Sequence, residues 1–550
     1  MNRLFFKTLS MALAVTIAAV LLAACGGASA ASPTSSDSMK LSDATTETTA
    51  AKPTTKAAAA TTEPRPLVTI PRADLEGLPF VSITHYAIGD PNSNGMLEKV
   101  QAEWNKLLKK ELNCELIQMW IPRANYLKIY NLLLASGDDS FDLIEASSTR
   151  LELWQNAYRG AWMALDDLLP KYAPVSWNDI PKGEWDECRL DGKIICIPEN
   201  SYTQYINQGF IYRGDWAEAA GLPKQLTDLD QFEKYCDWIL ANKPGVYPID
   251  VDGRFDLFSR WAEIHTPTVS IVGVNETVRG ASLDEPNVAV DIAFDDVALI
   301  WAQDMKKWGD KGYWRENVLN KASPVAESFK AGTSGVVPDD LNAFSDLKWQ
   351  MENVYFPGEA EIFMLLYGDL AGRLVREPVH THGAMCVYAK SKNPERALMV
   401  YDFIRNDERM YRLFNWGIEG VNYIIDPEGY RARPKGWTQE EHAWDAGFVS
   451  GRLDKYDKPS RQEWDGIRDY WKTIDKRLKP DPYANFALNG SSIEAEASEL
   501  NAVIAAMTPA LSTGKAGEPA EAIEKYRSEL KKAGYDKYFA EVKRQLAAFK

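Results

Sequence analysis

Histidine and cysteine are scarce in this 550-residue chain, five and six in all. No grouping of them has the spacing of a zinc site. His380 and His382 stand close together with no carboxylate at useful spacing, and read as core or surface residues. Basic residues are outnumbered, 62 Lys and Arg against 78 Asp and Glu, for a formal charge of −16. The absence of a basic stripe argues against nucleic acid, whose binding rests on phosphate neutralisation, and against attachment to anionic lipid. Beyond the first 25 residues no apolar run approaches the roughly 20 residues that cross a bilayer. The chain therefore cannot carry a solute across a membrane alone. A phosphate loop, a Gly-x-Ser-x-Gly elbow and a His-Glu-x-x-His helix are all missing. Asp250, Asp252, Gly253 and Asp256 have part of a calcium-loop pattern, but lack its full spacing and terminal glutamate, so a solvated turn is expected. No metal and no cofactor is expected.

What is present begins with the first 25 residues. Arg3 and Lys7 precede Leu9 to Ala24, an almost wholly apolar, uncharged run ending at Cys25. The run is short for a bilayer span and suits a secretory signal. Leu22-Ala23-Ala24-Cys25 resembles the lipobox of bacterial lipoproteins. That resemblance implies that Cys25 is lipidated, becomes the new N-terminus and anchors the chain at the outer, extracellular face of the cell membrane. Losing Arg3 and Lys7 takes the mature charge from −16 to −18. From Ala28 to Pro64, 28 of 37 residues are Ala, Ser, Thr or Pro. Such a segment cannot bury enough apolar surface to offset its chain entropy, and is expected to be a disordered tether.

The remainder, from about Leu78, is too long for one core, since single cores stop growing near roughly 250–300 residues. Phe80 to Tyr86 reads as a strand. Met96, Val100, Trp104, Leu107 and Leu108 recur at helical spacing up to about Leu112. Cys114 to Ile121 is a second strand, Tyr126 to Leu134 a helix with Gly137 as its C-cap, and Phe141 to Ala146 a third strand. This alternation predicts a parallel open sheet with ligands beyond the carboxyl ends of its strands. Thr227 is expected to cap a helix, with Asp230 completing a partial capping box. Cys188 and Cys196 flank a hairpin turn at Asp191-Gly192, which leaves a bridge between them open; the remaining count is odd, so at least one cysteine is unpaired.

Four stretches carry a family likeness. Residues 82 to 143 run from Ser-Ile-Thr-His-Tyr-Ala-Ile-Gly-Asp to Leu-Leu-Leu-Ala-Ser-Gly-Asp-Asp-Ser-Phe-Asp-Leu. Residues 164 to 174 read Ala-Leu-Asp-Asp-Leu-Leu-Pro-Lys-Tyr-Ala-Pro, and residues 210 to 222 read Phe-Ile-Tyr-Arg-Gly-Asp-Trp-Ala-Glu-Ala-Ala-Gly-Leu. Residues 391 to 423 include Ser-Lys-Asn-Pro-Glu-Arg-Ala and Asn-Trp-Gly-Ile-Glu-Gly-Val-Asn-Tyr. With the C-terminal helix Tyr526 to Leu546, these resemble the extracellular solute-binding lipoproteins of bacterial ABC importers, family 1-like, in the carbohydrate-associated, LplA-like group. One departure is Gly335-Val336-Val337-Pro338-Asp339, where the family has a strand leading to a cleft tryptophan or aspartate; here Asp339 or Asp340 would fill that role.

The resemblance implies an α/β fold of periplasmic-binding-protein type II, two lobes closing on a sugar or oligosaccharide, each an open, mostly parallel sheet flanked by helices. The expected division is a signal peptide at 1–24, a lipidated cysteine and tether at 25–77, a first lobe at 78–207 plus 336–378, a second at 208–335 plus 379–480, and C-terminal helices at 481–550 packing across both. The expected partners are a small-molecule ligand, carbohydrate in class, the permease subunits of an ABC importer and, through the lipid, the membrane. The protein is expected to act as a monomer and not as an enzyme.

Sugar recognition needs flat aromatic faces, carboxylates and amides, and the 18 tryptophans supply faces in excess. Position selects Tyr86, Asp90 and Asn92 after the first strand, and Ser148 and Trp154 after the third. Glu199 and Tyr202 approach the first crossover, and Asp339 lies on the second. Trp416 and Glu419 fall in a glycine-punctuated run, expected to be a loop after a helix that continues past Asp407. Alternatives left open are a lipid-anchored extracellular glycoside hydrolase, using two of the 78 acidic residues, a ligand-sensing lipoprotein, and a peptide-binding protein.

Overall fold

The structure, a computed structural model, describes residues 77–549 except 92, 138, 149–150, 200–207, 254, 272–273, 275–279, 321–324, 376–378, 448–455 and 484–485. Cys25, Asn92, Tyr202 and the tether lie outside the described residues.

The opening alternation forms as its patterning dictates. Strand β1 (Val81–Ile88) is followed by helix α1 (Met96–Leu112), strand β2 (Cys114–Ile121), helix α2 (Tyr126–Ser136) and strand β3 (Leu143–Ala146). Helix α1 buries Met96, Val100, Trp104, Leu108 and Leu112, one face at four-residue spacing, and Asn113 ends it in the left-handed region at φ 46°. Strands β1 and β2 pair in parallel along their full lengths, Val81 opposite Cys114 and Ile88 opposite Ile121. Strand β3 pairs in parallel with the other side of β1.

The chain then leaves this sheet. Strand β4 (Gly209–Arg213) starts a second sheet, joined later by β5 (Tyr247–Ile249), β6 (Ser334–Asp339) and β7 (Ile362–Leu366) in the order β7-β4-β6-β5. Here β4 runs antiparallel to both neighbours, and only the β6–β5 pairing is parallel. The expectation of a mostly parallel second sheet is corrected accordingly. Both faces of this sheet are covered, as its alternation shows: Phe210, Tyr212, Val336 and Leu365 enter one core, and Ile211, Val337, Met364 and Leu366 enter another. Between β4 and β5 lies helix α3 (Leu229–Asn242), whose N-cap is Asp228, accepting from the Gln231 N–H at 2.8 Å, one residue beyond the expected Thr227.

The return of the chain also corrects the expected lobe boundaries. Strands β6 and β7 belong with β4, whereas β8 (Ala384–Val387) pairs antiparallel with β3 and completes the first sheet in the order β8-β3-β1-β2. Helices α4 (Pro394–Asn406) and α5 (Glu408–Trp416) follow on the first core. They are two helices, because Asp407 breaks the run and caps the second by accepting from Arg409 and Met410 N–H. Helix Ile467–Asp475 is back on the second sheet. The two sheets thus exchange the chain repeatedly, and each carries one antiparallel strand laid down just after a crossing.

The C-terminal helices Glu494–Ser512, Pro519–Lys532 and Tyr535–Ala547 send Leu500, Tyr526, Leu530, Tyr538 and Val542 into the second core with Trp301 and Trp308. Two polar contacts reach the first lobe: Arg159 to Glu494 at 2.6 Å, and the Tyr158 hydroxyl donating to the Ala487 carbonyl at 3.2 Å. All five cysteines among the described residues are free and buried, Cys188, Cys196 and Cys386 included.

Candidate functional site

The carboxyl ends of the parallel strands define one edge of each sheet, and the chain crosses between the sheets at those edges. On the first sheet the edge is formed by Gly89 and Asp90 after β1, Trp120 and Pro122 at the end of β2, and Ser147 and Ser148 after β3. Asp90 is exposed. Ser148 is buried, donates its N–H to the Thr381 carbonyl at 2.8 Å and accepts from the Thr381 hydroxyl at 3.0 Å. Ile197 pairs with Met385, which adds a short segment beside β8, so Glu199 leaves the sheet on this same edge. Glu199 is buried, within electrostatic reach of the Tyr401 hydroxyl.

Trp120 is an aromatic side chain at this edge, at a strand end where sequence alone places ligands but outside the residues selected above. Its six-membered ring packs against two glycines. A Cβ on Gly89 would come within 2.6 Å of it, and one on Gly447 within 2.7 Å. Gly447 has φ +71° and closes a strap held along β1 and β2, with Asn94 donating to the Ala443 carbonyl at 2.8 Å and Gln118 to the Ala446 carbonyl at 2.7 Å. Among the described residues the indole Nε1 of Trp120 has no hydrogen-bond partner. An aromatic at a strand's carboxyl end, beside a glycine ending the next strand, was the available signal.

On the second sheet the edge is formed by Gln208, Asp339 and Tyr367. A cavity of about 60 Å³ opens there, lined by Gln208, Arg260, Glu263, Thr268, Tyr367 and Arg373 among others. Its volume is that of about two waters. Arg260 and Glu263 sit one turn apart on the helix Phe258–His265; Arg260 Nη1 donates to Glu263 at 2.9 Å and its Nε to Gln208 at 3.2 Å. Arg373 donates to the Glu263 and Thr266 carbonyls, tying that helix's end to the segment after Tyr367. Burial pushes the Tyr367 phenol up, with Arg260 opposing and Asp339 adding to the shift, which places these charges around one hydroxyl. Burial and the adjoining Asp340 carboxylate raise Asp339.

Asp481 lies close enough to feel Glu263, and burial first, then that charge, pushes its carboxyl up from 3.8 to about 6. The folded chain therefore holds a proton between these two values that the unfolded chain has lost, and stability falls as pH rises from about 4 to about 6. Asp481→Asn is expected to raise stability at pH 7 by about 1–2 kcal/mol and to change it little at pH 4. Urea titrations at the two pH values read this; equal effects at both would show that Asp481 is charged throughout.

Three selected residues sit elsewhere than expected. Tyr86 lies within β1 and not after it, its ring edge-on to Phe141 at 5.4 Å. Trp154 is 2% exposed in the first core. Trp416 is the last residue of helix α5 and is 5% exposed in a small cluster with Tyr411 and Tyr423, where it offers no open face. Glu419 is exposed, beside Tyr423 in the turn that follows. Asp250 is buried and engaged by the guanidinium of Arg315 and the hydroxyl of Ser328.

Two sheets, each with a flanking core, exchanging the chain at their carboxyl edges, make this the two-lobed α/β fold of extracellular solute-binding proteins. Solved structures bear this out. The N-glycan transport solute-binding protein NgtS from Streptococcus pneumoniae matches with a TM-score of 0.67 at 17% identity, over 84% of this chain and 98% of that one. An HMO-binding, ABC-transporter-associated solute-binding protein from Bifidobacterium longum infantis matches with a TM-score of 0.58 at 14% identity, over 86% and 99%. The S. pneumoniae substrate-binding protein FusA, in complex with kestose, matches with a TM-score of 0.55 at 16% identity, over 85% and 98%. By sequence, a domain of unknown function, DUF3502, matches residues 482–550, the C-terminal helices. No curated protein is matched by sequence.

Proposed function

We propose that this chain is a membrane-anchored extracellular solute-binding protein that captures a sugar or oligosaccharide between its lobes and delivers it to an ABC importer. The observation that carries this reading is the fold match across nearly the whole of several proteins whose names specify glycans, joined to an aromatic platform and a polar cavity on the two sheet edges. In this reading Trp120 offers its ring to a sugar's C–H face, Asp90, Ser148 and Glu199 take hydroxyls on the first lobe, and Asp339, Tyr367 and Gln208 take them on the second. Closure follows from ligand contacts made to both edges at once, since only a ligand with differential affinity for the closed form can drive it. The test is calorimetric titration against a panel of glycans with product analysis. Saturable binding without turnover supports the reading; hydrolysis of a bound glycan would make the protein an enzyme, and no binding by any glycan would overturn the ligand class.

Two outcomes follow from this reading. Trp120→Ala is expected to weaken the best glycan of the panel by tenfold or more, about 1.4 kcal/mol, with the melting temperature read alongside because the ring is partly buried. Unchanged affinity would remove Trp120 from the site. Cys25→Ala is expected to release the protein into the medium or leave it unprocessed, read by cell fractionation. A mutant still recovered as a mature lipoprotein would place the anchor elsewhere.

A further inference from the structure

Ile197 and Met385 exchange both backbone hydrogen bonds, at 2.8 and 3.0 Å. In an antiparallel pair the residues flanking such an exchange face each other without hydrogen bonds, with Cα atoms about 4.5 Å apart. One step along, at the end of this isolated bridge, stand Cys196 and Cys386. A disulfide spans a Cα separation of roughly 4.4–6.8 Å. The Cys386 thiol lies 3.5 Å from the Ile195 carbonyl, and the Cys196 thiol is in hydrogen-bonding contact with it. Cys188 also touches the Cys196 thiol, but its backbone pairs with Ile195, one residue out of register. All three are fully buried.

We propose that Cys196 and Cys386 are a disulfide-forming site, in which the segment leaving the first lobe is stapled to the strand that re-enters it. The bond encloses all four strands of the second sheet, β4 to β7. A cross-link over so long a loop acts mainly by restricting the unfolded chain. The oxidant is a small-molecule disulfide. A thiolate of the pair attacks it to give a mixed disulfide and one small thiol; the second cysteine displaces the other, so two protons and two electrons pass from the pair to the reagent. Because the folded chain seals both thiols, the exchange takes place during folding, before the strands close. Cys188 stays reduced.

The full chain carrying Cys25→Ser, unfolded and reduced, is refolded in mixed oxidised and reduced glutathione. Free thiols are alkylated and the protein is digested with trypsin, which separates the three cysteines into peptides 183–189, 194–213 and 377–390. The expected product is 194–213 joined to 377–390, with Cys188 alkylated, and a melting temperature several degrees above the same protein refolded with reductant. Cys188→Ser is expected to keep the link and Cys386→Ser to abolish it. Five alkylated cysteines, or 183–189 joined to 194–213, would overturn the proposal; the wild-type peptide map decides even where a variant does not fold.

Discussion

Trp416→Ala is expected to cost about 3 kcal/mol of stability and to leave the affinity of the folded protein unchanged. The indole ends helix α5, edge-on to Tyr423 at 5.2 Å and to Tyr411 at 6.2 Å. The guanidinium groups of Arg412 and Arg431 lie 5.6 and 5.2 Å from its ring centre. Truncation removes the transfer free energy of the indole and leaves a cavity that the ring neighbours fill only in part. The cost sits at the low end of the roughly 3–5 kcal/mol for core tryptophans because the cluster is a small satellite of the main core. It also strips two cation–π contacts, from Arg412 on the same helix and from Arg431 in the hairpin that follows. The midpoint of a urea titration and a glycan isotherm on the refolded variant separate the possibilities. An unchanged midpoint with lost affinity would return Trp416 to the ligand surface.

The contrast between Trp416 and Trp120 shows what local sequence carries. Both tryptophans stand beside glycines, and in sequence a glycine marks an open turn. At Trp416 the glycine that follows, with φ 83°, terminates a helix whose apolar face needs the indole as its last packing residue. At Trp120 the glycines come from elsewhere in the chain and make room for a ring at a sheet edge. Sequence distinguishes these cases only when the partner strand is known. The first three strands were legible because alternation, helix spacing and short links agree along one continuous stretch. Strands β6 and β8 were not assignable in the same way. Ser-Gly-Val-Val-Pro-Asp and Ala-Met-Cys-Val are both short apolar runs, and which sheet each joins depends on pairings with β4 and β3 far back in the chain. Asp339 ends strand β6, a position readable from sequence because a strand's carboxyl end is a positional rule. Arg260 and Glu263 were not, because on their own helix they read as an ordinary solvent-facing ion pair one turn apart, and only the docking of that helix beside Tyr367 makes them cavity walls.

Arg315→Met should be as damaging as the loss of Trp416, by a different route. Asp250 follows strand β5 and has no solvent exposure. The guanidinium of Arg315 grips both carboxylate oxygens, Nε donating to Oδ1 at 2.8 Å and Nη2 to Oδ2, while the Ser328 hydroxyl also donates to Oδ2. The carboxylate that an acidic loop could offer to a bound cation is thus held by an arginine of the same chain. Methionine keeps most of the aliphatic stem but removes the charge, leaving a buried carboxylate without its counterion. Breaking one side of a buried pair costs about 3 kcal/mol or more, most of it the penalty on the stranded charge. Adding Asp250→Asn to Arg315→Met is expected to recover much of the loss at pH 7, because a neutral amide carries no stranded charge. Urea titrations of the single and double variants at pH 7 measure both effects. A deficit unrelieved by Asp250→Asn would mean that Arg315 contributes through its packing against Tyr247, whose ring centre lies 5.4 Å from the guanidinium, and not through the charge of Asp250.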